Sequence, residues 1–159
     1  MVLSTTIDPS RDRRGGSVRL LPLGGCTVVR LTGNFDVAGG RTLERTLCEV
    51  VDGGHVVVDL SHVGLFSATA LDALSRAHAC AVHARTSLHL SGARDAVRAA
   101  LAASGLDARL DHHDDLADAV EAALAARDAR ADQSRQNSLP SGSAIMMWSA
   151  SSGKRARRA

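Results

Sequence analysis

The stretch from His55 to Leu71 constrains the fold of this chain more than any other part of its sequence. It opens with the continuous aliphatic run His55–Leu60, which is typical of a central strand covered on both faces of a sheet. A short turn and an apolar pair follow, and small residues with hydroxyl groups then begin a helix near Ser67. Ser and Thr side chains accept hydrogen bonds from the free N–H groups of a helix start. The stretch therefore predicts a buried strand, a turn and a capped helix in direct succession.

Strand and helix patterns alternate along the rest of the chain. Two β-rich runs, Ser17–Leu23 and Cys26–Thr32, flank a Gly-Gly pair and predict an opening hairpin, in which Pro22 marks an edge strand. The other predicted elements are a helix from Asp36 to Gly53, a strand over His55–Leu60, a helix over Ser67–Ala84, a strand over Ser87–Ser91, a helix over Ala93–Ser104, a strand over Ala108–Asp111, and a helix from Asp114 or Asp115 to about Arg130. This order, β-β-α-β-α-β-α-β-α, predicts an α/β fold with a mixed sheet, right-handed crossovers and about four helices.

The two ends of the chain differ in composition from the part between them. Residues 1–14 are polar without a period and predict a disordered leader, residues 15–130 form the predicted domain, and residues 131–159 predict a disordered basic tail. The domain carries 11 Lys and Arg against 14 Asp and Glu, whereas the tail carries 5 against 1. The basic balance of the whole chain therefore does not indicate that the domain itself binds nucleic acid.

Composition also limits the cellular compartment. No window approaches the ~20 apolar residues that a membrane-spanning helix needs, and no apolar run follows the N-terminal arginines as it would in a secretory signal. We therefore expect a cytoplasmic protein without a membrane span. The cysteines Cys26, Cys48 and Cys80 form no Cys-x-x-Cys pair and cannot all be bridged within the chain. We expect them to be small buried residues in a reducing compartment.

The histidines and the known catalytic motifs indicate neither a metal site nor an enzyme. His112 and His113 lie among acidic residues, but neighbouring side chains of an extended chain point in opposite directions and no third ligand is near. We expect a solvated acidic loop there, and we expect His78, His83 and His89 on faces or edges. Nucleophile-elbow, Walker-type and dinucleotide-binding motifs are absent from the sequence. Neither a metal nor another cofactor is predicted.

Three segments carry a resemblance to a known family. The sequence DLSHVGLFSATAL at 59–71 resembles the signature of the STAS domain of bacterial anti-sigma factor antagonists, roughly Asp-Leu-Ser-x-Val-x-Phe-hydrophobic-Asp-Ser-Ser/Thr-Gly-Leu. VRLTGNFD at 29–36 is similar to that family's Leu-x-Gly-Glu-Leu-Asp segment, and LAASGL at 101–106 is similar to its Leu-x-x-x-Gly-Leu segment. The three occur in order, so the resemblance covers about Ser17 to Ala126 and implies a STAS-like domain.

The resemblance also identifies a regulatory position at which this chain departs from the family. The first Ser of the family's Asp-Ser pair accepts phosphate, and here Ala68 stands at that position, with Ser67 in place of the Asp and Ala70 in place of the Gly. Three outcomes stay open. Thr69, or as the second candidate Ser67, replaces the usual phosphate acceptor; the protein is an antagonist that is always competent; or it binds something else. In each case we expect the hydroxyl groups of Ser67 and Thr69 at least to cap the helix.

The function that the resemblance implies is antagonism of an anti-sigma factor of the serine-kinase type, which frees an alternative sigma factor for transcription. The docking surface would comprise Asn34, Phe35 and Asp36, the residues Ser67, Ala68, Thr69 and Ala70, and the exposed face of the helix that follows. Two other functions stay open. One is an accessory subunit of a membrane transport complex that binds an ATPase, and the other is a module that senses a small ligand or nucleotide.

Overall fold

The structure, a computed structural model, describes residues 15–138. Within them, five strands and four helices alternate in the predicted order. The strands are β1 (Ser17–Leu23), β2 (Cys26–Phe35), β3 (His55–Phe66), β4 (Leu88–Ser91) and β5 (Asp111–His113), and the helices are α1 (Val37–Gly53), α2 (Ala68–Ala84), α3 (Asp95–Ala103) and α4 (Leu116–Ser138). The α/β class and the order of elements are therefore confirmed.

The five strands form one mixed sheet in the order β1-β2-β3-β4-β5. β1 and β2 pair antiparallel as the predicted hairpin, and Pro22 lies opposite Thr27 in the edge strand β1. The remaining neighbours pair in parallel, with one helix crossing over between each pair. Parallel strands end on the same side, so the C-terminal ends of β2, β3 and β4 lie along one edge of the sheet.

Both faces of the sheet are covered by helices. Val56, Val58 and Leu60 of β3 point to the larger core, which they share with buried residues of α1, α2 and α3. Alternate residues of the same strand point to the other face. The smaller core on that face is formed by Cys26, Val28, Val57, Ala119 and Ala123. The aliphatic sequence of β3 is thus explained by burial on both sides.

Helices α1 and α2 approach each other at a point where α1 has no side chain. A Cβ atom on the buried Gly40 would lie 2.8 Å from the backbone nitrogen of Ala70 and 2.9 Å from Cβ of Thr69. These distances are well below the separation at which non-bonded carbon atoms attract each other. Gly40 weakens α1 as a helix former, but it allows the first turn of α2 to lie directly on α1.

β2 and β3 run further than the sequence pattern predicts. β2 continues past Thr32 to Phe35, and β3 continues past Leu60 to Phe66. Residues that we expected in a loop and in a turn are therefore paired strand residues. The pairing shifts register twice, the second time after Gly33, whose φ is +91°. These irregularities allow the two strands to remain paired through residues that interrupt a regular β pattern.

The predicted last strand, Ala108–Asp111, is displaced along the chain. β5 lies further along the chain and contains His112 and His113. The prediction that these two histidines lie in a solvated loop is therefore wrong. The position of β5 is determined by its parallel pairing with β4, which the local pattern does not reveal. Among the described residues, no group of three or more His, Cys, Asp or Glu side chains is arranged to hold a metal ion.

We expected His89 on a face or an edge, but it is buried in β4. Its Nε2 lies 3.0 Å from the Ser87 hydroxyl, which lies 2.8 Å from Nδ1 of His55, and its Nδ1 lies 3.4 Å from Nε2 of His113. Burial lowers the pKa of His89 below 6.5. The charges of His113 and His55 lower this pKa further, whereas the Asp111 carboxylate raises it. The fold therefore favours the neutral imidazole.

The last helix is longer than predicted. α4 continues to Ser138 instead of ending at about Arg130, and no Gly or Pro occurs between these two positions to end it. By compactness the chain divides into a unit that ends at Arg127 and a second that begins at Asp128.

The predicted tail, residues 131–159, is therefore helical in its first eight residues. Its remaining residues, and the predicted leader of residues 1–14, lie outside the part of the chain that the structure describes. Across residues 15–138, no helix has the length and apolar character that crossing a membrane requires.

The close approach at Gly40 yields a stability prediction. Gly40→Ala should lower the free energy of unfolding by about 1–3 kcal/mol, because the new methyl group meets the backbone of α2. Gly53→Ala is the matched control: it lies in the same helix, and a Cβ there has no neighbour within 4 Å. The control should leave stability unchanged or raise it by up to about 1 kcal/mol. Urea unfolding measures both, and equal effects of the two substitutions would contradict the packing described here.

The buried His89 yields a pH prediction. Its folded-state pKa lies below the ordinary 6.5, so the unfolded chain binds more protons in the window below pH 6.5. The contribution of His89 to stability should be constant between this window and pH 8 and should fall as the pH drops through the window. His112, whose pKa is also lowered by burial and by Arg98, contributes in the same direction. Urea midpoints between pH 8 and 5 should therefore fall less steeply for His89→Gln than for the wild type, and an unchanged slope would contradict the burial of a neutral imidazole.

Candidate functional site

The predicted site lies where β2 and β3 end side by side. Phe35 and Phe66 close the two strands as paired residues, and the backbone N–H of Ser67 donates to the carbonyl of Phe35 over 3.0 Å. The two rings lie 5.9 Å apart between centroids and are buried. α1 and α2 therefore begin next to each other at one edge of the sheet. The side chain of Phe35 belongs to the core, so it supports this edge from below and does not face solvent.

Asp36 caps α1 and Ser67 caps α2, whereas Thr69, for which we also expected a capping role, lies within the first turn of α2. Oδ1 of Asp36 accepts a hydrogen bond from the backbone N–H of Gly39 over 2.8 Å, and Oγ of Ser67 accepts one from the N–H of Ala70 over 3.2 Å. Each bond satisfies a backbone donor that the first helical turn leaves free. The capping role of Asp36 and Ser67 is thus part of the fold.

The three residues around the position that the sequence resemblance assigns to the phosphate acceptor are exposed to different degrees. Ala68, the residue at that position in the resemblance, is exposed. Ser67 is half-buried and its oxygen is engaged in the cap. Thr69 is half-buried against Gly40, on the side where α2 lies on α1. The most accessible residue of this turn is therefore the one without a hydroxyl group.

Two exposed aliphatic side chains border this turn, and neither was predicted from the sequence. Leu65 is 58% exposed at the end of β3, and Val37 is 57% exposed at the first position of α1. The exposure of Leu65 follows once β3 is known to continue to Phe66, because Phe66 points into the core and its neighbour in a strand points outward. It was missed because we expected the strand to end at Leu60. Val37 follows a cap residue and has no comparable signal.

The polar residues of the same edge complete the surface. Asn34 and Asp36 are exposed, and an open depression of ≈ 570 Å³ beside them is lined by Asp36, Val37, Ala38 and Arg41. Gly64 keeps space for Asn34, because a Cβ there would lie 2.8 Å from Oδ1 of Asn34. We call the exposed side chains of Asn34, Asp36, Val37, Arg41, Leu65 and Ala68 the helix-start surface. It combines two aliphatic groups with two charges of opposite sign.

The first part of the 59–71 motif has a structural role in the strands that lead to this surface. Asp59 is buried, its Oδ2 lies 2.9 Å from Nε of Arg30, and its Oδ1 accepts from the backbone N–H of Ser61 over 3.0 Å. Burial alone would raise the pKa of Asp59, but the hydrogen bonds from Ser61 and Arg30, together with the charge of Arg30, outweigh it and lower the pKa. The ionised carboxylate therefore ties β2 to β3 before the strands reach the site.

Comparisons with known proteins agree with this fold. The family model described as "Mlab, STAS domain" matches residues 22–110. A solved anti-sigma factor antagonist from Mycobacterium paratuberculosis is 22% identical, with a TM-score of 0.63 over 71% of this chain and 97% of that one. A variant of RsbS from Moorella thermoacetica is 20% identical, with a TM-score of 0.59 over 67% of this chain and 94% of that one.

The same fold also matches part of a transporter. The structure of the murine Solute Carrier 26 family member A9 anion transporter is 16% identical, with a TM-score of 0.55 over 70% of this chain and 22% of that one. No curated protein sequence matches this chain. At these identities, the solved structures establish likeness of fold alone.

Proposed function

The chain belongs to the STAS domain family, and we propose that it is an anti-sigma factor antagonist that acts by docking on its partner and without catalysis. The partner would be an anti-sigma factor of the serine-kinase type, and its capture in the cytoplasm would free an alternative sigma factor. The observation that carries this proposal is the helix-start surface, where exposed Leu65 and Val37 border the motif position Ala68. Solved proteins of similar fold that are anti-sigma factor antagonists support it.

The chemistry of the helix-start surface suits a protein partner. Aliphatic groups that are more than half exposed lose contact with water on docking, which favours association. Asn34, Asp36 and Arg41 around them can set the orientation of the partner through hydrogen bonds and charge, since polar groups at an interface contribute specificity. Phe35 and Ala70, which we expected in the surface, are buried and act as its support.

We propose further that docking by this protein is not switched off by phosphorylation at the usual position. The exposed Ala68 has no acceptor oxygen, and the Ser67 oxygen is held in the cap. Thr69 is the remaining candidate acceptor. A phosphate there would add about 1.5 to 2 negative charges at a helix start, but the residue is half-buried where α2 lies on Gly40 of α1, so a kinase reaches it less easily than the exposed Ala68. These features favour an antagonist that is always competent.

A second function is favoured by one comparison. The transporter match indicates that this fold also occurs within a membrane transport protein. For the accessory-subunit function left open by the sequence, the helix-start surface would dock on the ATPase of a transport complex. No observation on the described residues favours a ligand or nucleotide sensor.

Docking can be tested with one substitution and its matched control. The full chain, as wild type, Leu65→Asp and Leu23→Asp, is titrated against purified serine-kinase anti-sigma factors from the same genome, for example by calorimetry. Leu65→Asp should raise the Kd at least tenfold, because a carboxylate replaces an aliphatic contact. Leu23 is 47% exposed and pairs with Cys26, at the end of β2 opposite to the site, so Leu23→Asp should bind like the wild type.

The same complexes test the regulatory proposal. Each kinase that binds is incubated with ATP and with the wild type or Ala68→Ser, and phosphate is mapped by mass spectrometry. We expect phosphate on the introduced serine of Ala68→Ser and no phosphate on the wild type. Phosphate on Thr69 or Ser67 of the wild type would contradict constant competence. Binding to a transport ATPase, with no binding to any of the kinases, would overturn the main proposal.

A further inference from the structure

Two cysteines of the described chain meet between α1 and α2. Sγ of Cys48 lies 3.0 Å from Sγ of Cys80, a contact about 1 Å longer than the ~2.0 Å of a disulfide bond. Both residues are half-buried and lie in the later part of their helices. They are 32 positions apart in the sequence, so no short-range spacing of cysteines predicts the pair. Our expectation of small buried residues therefore holds for Cys26 but not for these two.

The helices keep the two thiols together. Leu47 and Val51 of α1, and Ala77 and Ala81 of α2, are fully or almost fully buried in the shared core beside the pair. The approach of α2 to Gly40 fixes the other end of the same helix pair. Close-packed interiors resist displacement of whole helices. The sulfur atoms therefore cannot separate by more than side-chain rotation without opening the core.

We propose that Cys48 and Cys80 are a modification site, at which a small disulfide such as oxidised glutathione converts the two thiols into a reversible intramolecular disulfide. A protein thiolate attacks the small disulfide, forms a mixed disulfide and releases one small thiolate. The second cysteine loses its proton and attacks the protein sulfur of the mixed disulfide, which releases the second small thiolate. The released thiolates take up two protons, so two protein thiols are oxidised and one small disulfide is reduced to two thiols.

The surroundings of Cys48 affect the speed of these steps. Burial, the hydrogen bond with Cys80 and the carboxylates of Glu44 and Asp52 raise the pKa of Cys48 to about 12. Its thiolate is therefore scarce at neutral pH, which slows thiol–disulfide exchange there. The contact between the two sulfurs then favours the second attack. The disulfide should form slowly at pH 7 and faster as the pH rises.

The disulfide would strengthen the scaffold without covering the helix-start surface. Cys48 lies twelve residues beyond Asp36, or about 18 Å along a helix that rises 1.5 Å per residue. The bond would close a long loop of the unfolded chain, which is the situation in which disulfides stabilise most. We therefore expect a higher Tm for the oxidised protein and unchanged docking.

The test uses the full chain treated with oxidised glutathione at pH 8 and then alkylated after unfolding. Peptide mapping without reduction should give a linked Cys48–Cys80 pair in a monomer, with Cys26 alkylated. The Tm should rise by about 5 °C or more and return on reduction. Cys26→Ser should behave like the wild type, because Cys26 is buried on the opposite side of the sheet, whereas Cys48→Ser and Cys80→Ser should each abolish the link and the Tm shift.

Three results would overturn the proposal. These are free Cys48 and Cys80 after prolonged treatment, separate glutathione adducts that do not resolve into a link, and links between chains only. A linked peptide with an unchanged or lower Tm would contradict the stabilising geometry. Because the linked peptide is read in the wild type, a variant that fails to fold does not affect this readout.

Discussion

The parallel pairing of β2 with β3 is the interaction on which the rest of this structure depends. It brings Phe35 and Phe66 to the same edge of the sheet and allows Ser67 to donate to the backbone of Phe35. α1 and α2 then have to start next to each other, and the missing side chain at Gly40 allows them to touch. The ion pair of Asp59 with Arg30 holds the same two strands together below the site. One pairing therefore determines both the scaffold and the surface above it.

The sequence predicted those features that depend on local chemistry. The order of strands and helices follows from apolar periodicity, and the caps at Asp36 and Ser67 follow from residue type at a helix start. The Gly105 end of α3 is of the same kind: its φ is +71°, and the N–H of Leu106 donates to Leu101. Each of these features is decided within a few residues of the chain.

Features that depend on partners distant in sequence could not be predicted. The extension of β3 to Phe66 needs β2 beside it, and the exposure of Leu65 follows from that extension. The burial of His89 depends on its place within the sheet, between β3 and β5. The contact of Cys48 with Cys80 depends on two helices that meet across 32 positions. The local sequence pattern around each of these residues does not indicate which distant residues lie beside it.

The motif at 59–71 therefore divides into two parts with different roles. Its first part, with Asp59 and Ser61, stabilises the strands, whereas its second part contributes Leu65 and Ala68, which has no hydroxyl group, to the helix-start surface. Hydrogen exchange of the full chain, alone and with an anti-sigma factor that binds it in the titrations, tests most directly whether this surface docks. We predict that new protection is concentrated at the first turns of α1 and α2 and at the end of β3. Protection concentrated instead at β4, β5 and the His55 end of β3, with those first turns unchanged, would contradict the account.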